Sequence, residues 1–153
     1  MNFPRRAGFA LLPLLALFVG FVQGCGGDDQ NKKFATYQDL NKSTYLAEGW
    51  IPDCLPKNAR EIIESHLRTS MASWVSFQTD KAGMGEFKAR LTIMPNLGPL
   101  LFGGVSVSQA PYWWPSAAPG PIWLLDCGEK VPGEIWRVSL DEPNSQAYLW
   151  RNP

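Results

Sequence analysis

Apolar and polar positions change rhythm along this chain, and each change marks an element. The first run, Ala7 to Val22, is almost unbroken apolar sequence behind Arg5 and Arg6. It has the length of a signal-peptide core and is short for a membrane span. Gly26 to Lys33 is polar, glycine-led and aperiodic, which reads as a flexible tether. "TYQDLNKSTYLAEG" then sets Leu40, Tyr45 and Leu46 near one helical face, with Thr36 placed to cap through Asp39. Gly49 suits the left-handed exit of such a helix. Pro52 and Pro56 stop it and make "WIPDCLP" extended and rigid.

The next segment, "NAREIIESHLRTSMASWVSFQTD", carries two rhythms. Asn58 and Glu61 have the spacing of a capping box, whereas "SWVSFQ" alternates as a strand does. A short helical turn at 58–61 is expected, followed by strand, turn and strand. A second helix is expected from Asp80, weakened by Gly83 and Gly85. Between Pro95 and Pro121 the proline and glycine content leaves one strand, "GGVSVSQ", and a stiff loop, "PYWWPSAAPGP". A strand at "IWLLDCG" and a hairpin turning at "DEPNS" complete the chain. The predicted fold class is α+β: a single small domain, residues 34–153, with two helices packed on an antiparallel sheet of four to six strands.

The three cysteines change this picture. "VQGC" closes the apolar run and resembles the bacterial lipobox: an apolar residue, a variable one, a small one, then cysteine. The resemblance implies a lipoprotein signal peptide at 1–24, cleaved after Gly24, and acyl chains on Cys25, with residues 25–33 as the lipidated cysteine and its tether. An uncleaved anchor and ordinary secretion are the competing readings. Gly26, at the sorting position, tilts the expected address toward the outer membrane over the inner. Beyond the inner membrane the remaining pair, Cys54 and Cys127, reads as a disulfide, the alternative being two buried thiols. Closing so long a loop would stabilise the fold by roughly 4 kcal/mol.

Acidic and basic residues balance at 14 each. Removal of Arg5 and Arg6 leaves a slightly acidic chain without a basic stripe, so nucleic acid is not an expected partner. Seven tryptophans supply ample material for a core.

Gly49, Trp50, Ile51, Pro52, Leu55, Pro56, Ala59, Ile62, His66, Trp74 and Phe77 form a G-W-I-P, L-P, A, I, H, W-x-x-F series. With the later "WW" and "AYLW", that series resembles a family of small bacterial envelope proteins, the YbbD head domain. The resemblance runs over most of the mature chain and is concentrated in residues 49–77. It implies a fold and an envelope address, and it brings no catalytic residue with it.

For chemistry, the single histidine is the first candidate. If 62–68 is a strand, Glu64 and His66 share a face and can hydrogen-bond, with Ser76 across the hairpin as a third member; the bland reading is a structural histidine. No zinc or calcium spacing occurs, the glycine stretches lack a phosphate-binding lysine, and no metal or cofactor is expected. Asp126/Glu129 and Asp141/Glu142 read as solvated turn carboxylates rather than a glycosidase pair.

"PYWWP" is the better lead. Neighbouring side chains on a strand point oppositely, so one of Trp113 and Trp114 is expected to be exposed beside Tyr112 on a proline-stiffened loop. Such a site would bind a protein or a glycan; the alternative is that both indoles cap the sheet as core. The leading expectation is a lipid-anchored, periplasm-facing binding domain without catalysis, its partner another envelope protein. An inhibitor or immunity lipoprotein and an envelope hydrolase centred on His66 are the alternatives.

Overall fold

In the computed structural model residues 30–93, 110–127 and 135–151 are described. Strands β1 (Gln30–Thr36), β2 (Arg60–Leu67) and β3 (Ala72–Gln78) come first, with helix α1 (Tyr37–Asn41) between β1 and β2. Helix α2 (Lys81–Lys88) follows, then β4 (Leu91–Ile93), β5 (Ile122–Leu125), β6 (Trp136–Asp141) and β7 (Gln146–Arg151). All seven strands join one sheet in the order β1-β2-β3-β7-β6-β5-β4, and every pairing is antiparallel.

This corrects the predicted α+β class. Among the described residues the fold is one seven-stranded antiparallel sheet, and the helices of five and eight residues are accessories to it. The first helix is the main difference. Thr36 caps it as expected, accepting from the Asp39 N–H at 3.2 Å, but it stops at Asn41. Ser43 ends it: its hydroxyl donates to the Leu40 carbonyl at 2.6 Å and accepts from the Tyr45 N–H at 3.3 Å. A serine that engages the backbone on both sides competes with the helical ladder. The chain runs on in turns to Gly49, whose φ of 77° is the left-handed exit expected there.

Two smaller corrections follow the same logic. The helical turn expected at 58–61 is instead the start of β2, where Glu61, at φ 49°, and a register shift between Arg60 and Ile63 make a bulge. Strand β1 takes in Gln30 to Lys33, so the sheet begins four residues inside the stretch read as a tether. Helix α2 forms where Asp80 predicts it, with the Asp80 carboxylate accepting from the Gly83 N–H at 2.7 Å. The β6–β7 hairpin also stands as read. Cys25 and the "GGVSVSQ" strand lie outside the described residues.

Strand alternation gives the sheet two unlike faces. On the first, Phe34, Ile62, Val75, Val138 and Leu149 pack under α1, α2 and the connection that carries Ile51 and Leu55. On the second, Trp74 and Trp150 lie side by side in register, with Ala72 and Ile122, beneath the loop at 110–121. Each of these large side chains stabilises the fold by roughly 1.5–3 kcal/mol on burial. Cys54 and Cys127 are bonded, with their Cα atoms 5.4 Å apart, and tie the connection over the first face to the end of β5.

Candidate functional site

Two groups of chemically distinctive side chains result, one inside each face. On the first face β2 places Glu64 and His66 two residues apart, pointing the same way. His66 Nδ1 meets the Glu64 carboxyl at 3.0 and 3.2 Å, the contact expected if this segment is a strand. The third member differs from expectation. Ser73, not Ser76, stands opposite His66 in the hairpin, so Ser73 shares its face and Ser76 lies on the other. Ser73 donates to the Trp50 carbonyl at 2.7 Å and to Glu64 Oε1 at 3.3 Å.

The surroundings are aromatic. Trp50 stacks on the His66 ring at 3.9 Å and 14°, and Tyr45 meets it edge-on at 6.0 Å. Arg151, opposite Ser73 on β7, extends its guanidinium toward the rings of Trp136 at 5.2 Å and Trp50 at 5.6 Å. Glu64, His66 and Ser73 are at most 1 % exposed. Burial pushes the Glu64 carboxyl up to about 8, and Ser73 and Arg151 offset only part of that. Burial thus favours the neutral carboxyl around neutral pH, hydrogen-bonded to Nδ1. Desolvation likewise lowers the Arg151 pKa, against the pull of Glu64.

This arrangement is a poor hydrolase. A serine nucleophile must share a hydrogen bond with its imidazole base, whereas Ser73 is turned to the carboxyl and a backbone carbonyl. The imidazole also lies beneath the Trp50 indole, and both residues are sealed from solvent. Of the other carboxylates considered for catalysis, Asp141 accepts from Asn144 at the β6–β7 turn and Glu142 pairs with Lys88 at 2.6 Å, while Glu129 lies outside the described residues.

On the second face the 110–121 loop supplies the aromatic group. Trp114 is buried, edge-on to Tyr148 at 5.6 Å and to Trp150 at 6.0 Å. Its backbone N–H donates to the Pro111 carbonyl at 2.9 Å and closes a turn. Trp113 is half-buried and meets Trp114 edge-on at 5.6 Å. Its indole N–H lies 3.0 Å from Asn31 Oδ1 and 3.1 Å from Ser65 Oγ, and Ser65 donates to Asn31 in turn. At the far end Ser139 Oγ holds both the N–H and the carbonyl of Gly120 at 3.1 Å. Both indoles thus fasten the loop, and the exposed ring is Tyr112, 86 % accessible at the tip. Sequence reading did not single out Asn31, Ser73 or Arg151; only the register brings them to these places.

A cleft of about 690 Å³ also opens beside the disulfide, with Lys57, Glu86, Phe87 and Arg90 on its walls. Lys57 is engaged there, donating to the Tyr37 hydroxyl at 2.6 Å with its ammonium 4.1 Å from that ring's centre.

Residues 28–78 match the YbbD head domain. The matched segment comprises β1, α1, β2 and β3, with the turns over the first face, and so contains the whole Trp50–Glu64–His66–Ser73 group. The Gly49 to Phe77 series that carried most of the resemblance falls within it, while the "WW" and "AYLW" stretches lie beyond it, so the match covers less of the chain than the resemblance implied. Arg151 and the Tyr112–Trp114 loop lie outside the YbbD head match, although the loop docks on Asn31 and Ser65 within it. No curated protein and no solved structure matches the chain. The family points to an envelope-related protein. Among the described residues no helix is long and apolar enough to cross a membrane.

Proposed function

We propose that this chain is a lipid-anchored, periplasm-facing domain that binds another envelope protein and carries out no catalysis. The observation that supports the reading is the presentation of Tyr112. An aromatic ring 86 % exposed stands on a loop fixed by the buried Trp114, by the Trp113 hydrogen bonds and by Ser139. A ring held in place before binding loses little conformational freedom on contact, which is why rigid aromatic side chains dominate interface energetics. The only histidine is committed to the core, which removes the main argument for hydrolysis. Anchoring rests on the "VQGC" sequence, with Cys25 as acyl acceptor and the outer membrane favoured as address.

The test is photocrosslinking in cells from a probe at position 112, together with alkyne-palmitate labelling. A discrete protein adduct is expected, and label is expected on the chain but not on Cys25→Ala. A folded, correctly localised protein that yields no adduct would refute the binding reading; label retained by Cys25→Ala would refute the anchor.

A further inference from the structure

We propose that β1 is a docking edge, on which an extended acidic segment of the partner protein adds as a further strand of the sheet. This rests on the binding reading above and specifies its mode. Strand β1 stands at one end of the sheet and, among the described residues, pairs with β2 alone. An edge strand presents its outward N–H and carbonyl groups as a ready template for another chain. At seven residues β1 offers far more of that template than β4, the three-residue strand at the opposite end.

Charge identifies the occupant. From Asn31 to Thr36 every residue is exposed except Phe34, which is buried. Lys32 lies on the face of Glu64 and Lys33 on the face of Ile63, so the edge carries a cation on each side of the sheet. Lysines at an edge ordinarily prevent indiscriminate pairing. Here they also exclude a second copy of this chain, because antiparallel self-pairing centred on the strand would set Lys33 opposite Lys33. An acidic segment reverses the sign, since opposite charges across a strand pair attract and like charges repel. The added strand would also border the Trp113 ring, which reaches Asn31 from the second face. Edge and aromatic loop then form one continuous surface.

The experiment places photocrosslinking probes singly at Lys33, Ala35 and Tyr112 of the full chain in cells and maps each attachment site by mass spectrometry. Strand addition predicts one partner captured from all three positions. Moving the probe from 33 to 35 should shift the attachment site by two partner residues, within an acidic stretch. Lys32→Glu with Lys33→Glu should reduce capture on the order of tenfold, while the melting temperature is unchanged because both side chains are exposed. Capture from Tyr112 alone would overturn strand addition and leave the binding reading intact, as would attachment sites at β1 that do not step with the probe. No capture from any position would overturn both.

Discussion

His66 lies flat against Trp50, ring centroids 3.9 Å apart and 14° from parallel, while its Nδ1 is held by Glu64 at 3.0 Å. The stack comes from the connection and the hydrogen bond from β2, so this one imidazole fastens the irregular 42–59 segment to the sheet. Ser73 reinforces the link by donating to the Trp50 carbonyl. Both fall inside the YbbD head match, and the match therefore includes a structural lock.

His66→Ala removes the stacked ring and leaves Glu64 without its partner inside the core. Losing the ring's packing and leaving a buried polar group short of a partner costs about 2–4 kcal/mol, so the melting temperature should fall by roughly 10 °C. Thermal unfolding followed by tryptophan fluorescence measures it. A melting temperature within a degree or so of the parent chain would remove the structural role and reopen a chemical one.

Stability should also depend on pH through Glu64. Its carboxyl is raised from 4.5 to about 8 mainly by burial, so the folded chain holds a proton that the unfolded chain has already released. The contribution is fully present below about 4.5 and is lost as pH rises through about 8. Melting temperatures should therefore decline from about pH 5 to about pH 9, and Glu64→Gln, which stays neutral, should flatten that decline. Parallel curves for the two proteins would show that the carboxyl is not the titrating group.

What was legible in the sequence was what local chemistry decides. Thr36 with Asp39, Asp80 before α2, Gly49 and the "DEPNS" turn each specify a conformation through their own side chains. Strand β1 was not legible, because an edge strand solvated on both faces shows no alternation: from Asn31 to Thr36 Phe34 alone is buried. The apolar spacing after Asn41 suggests more helix than forms, because spacing says nothing about the backbone bonds that Ser43 makes. Glu64 and His66 were found by a period-two argument within one strand. Choosing Ser73 over Ser76 needed the hairpin register, which a turn between Leu67 and Ala72 sets and residue types alone do not.

The disulfide should matter more than its distance from the aromatic groups suggests. Cys54 lies three residues after Ile51, so the bond to Cys127 holds the same segment that covers His66. Replacing both cysteines by serine opens a loop with a sequence separation of 73 residues. It should destabilise the fold by about 4 kcal/mol. Urea titration of parent and variant measures the loss, and coincident midpoints would count against the bridge as a structural element.

Two glycines in α2 should respond oppositely to the same change. A Cβ at Gly85 meets nothing within 4 Å, and the position is exposed, so alanine there supplies helix propensity without a steric penalty. Gly85→Ala should stabilise the protein by up to about 1 kcal/mol. A Cβ at Gly83 would instead run into Thr79 Oγ1 and Asn58 Oδ1, which are hydrogen-bonded to each other at 2.8 Å. Thr79 is fully buried, so the pair has little room to yield. Gly83→Ala should therefore destabilise by roughly 1–3 kcal/mol, overpacking outweighing the gain in propensity. Both variants belong in one set of denaturation curves. If the two alanines shifted the midpoint in the same direction, propensity alone would govern this helix, and the close contact at Gly83 would not be the reason for that glycine.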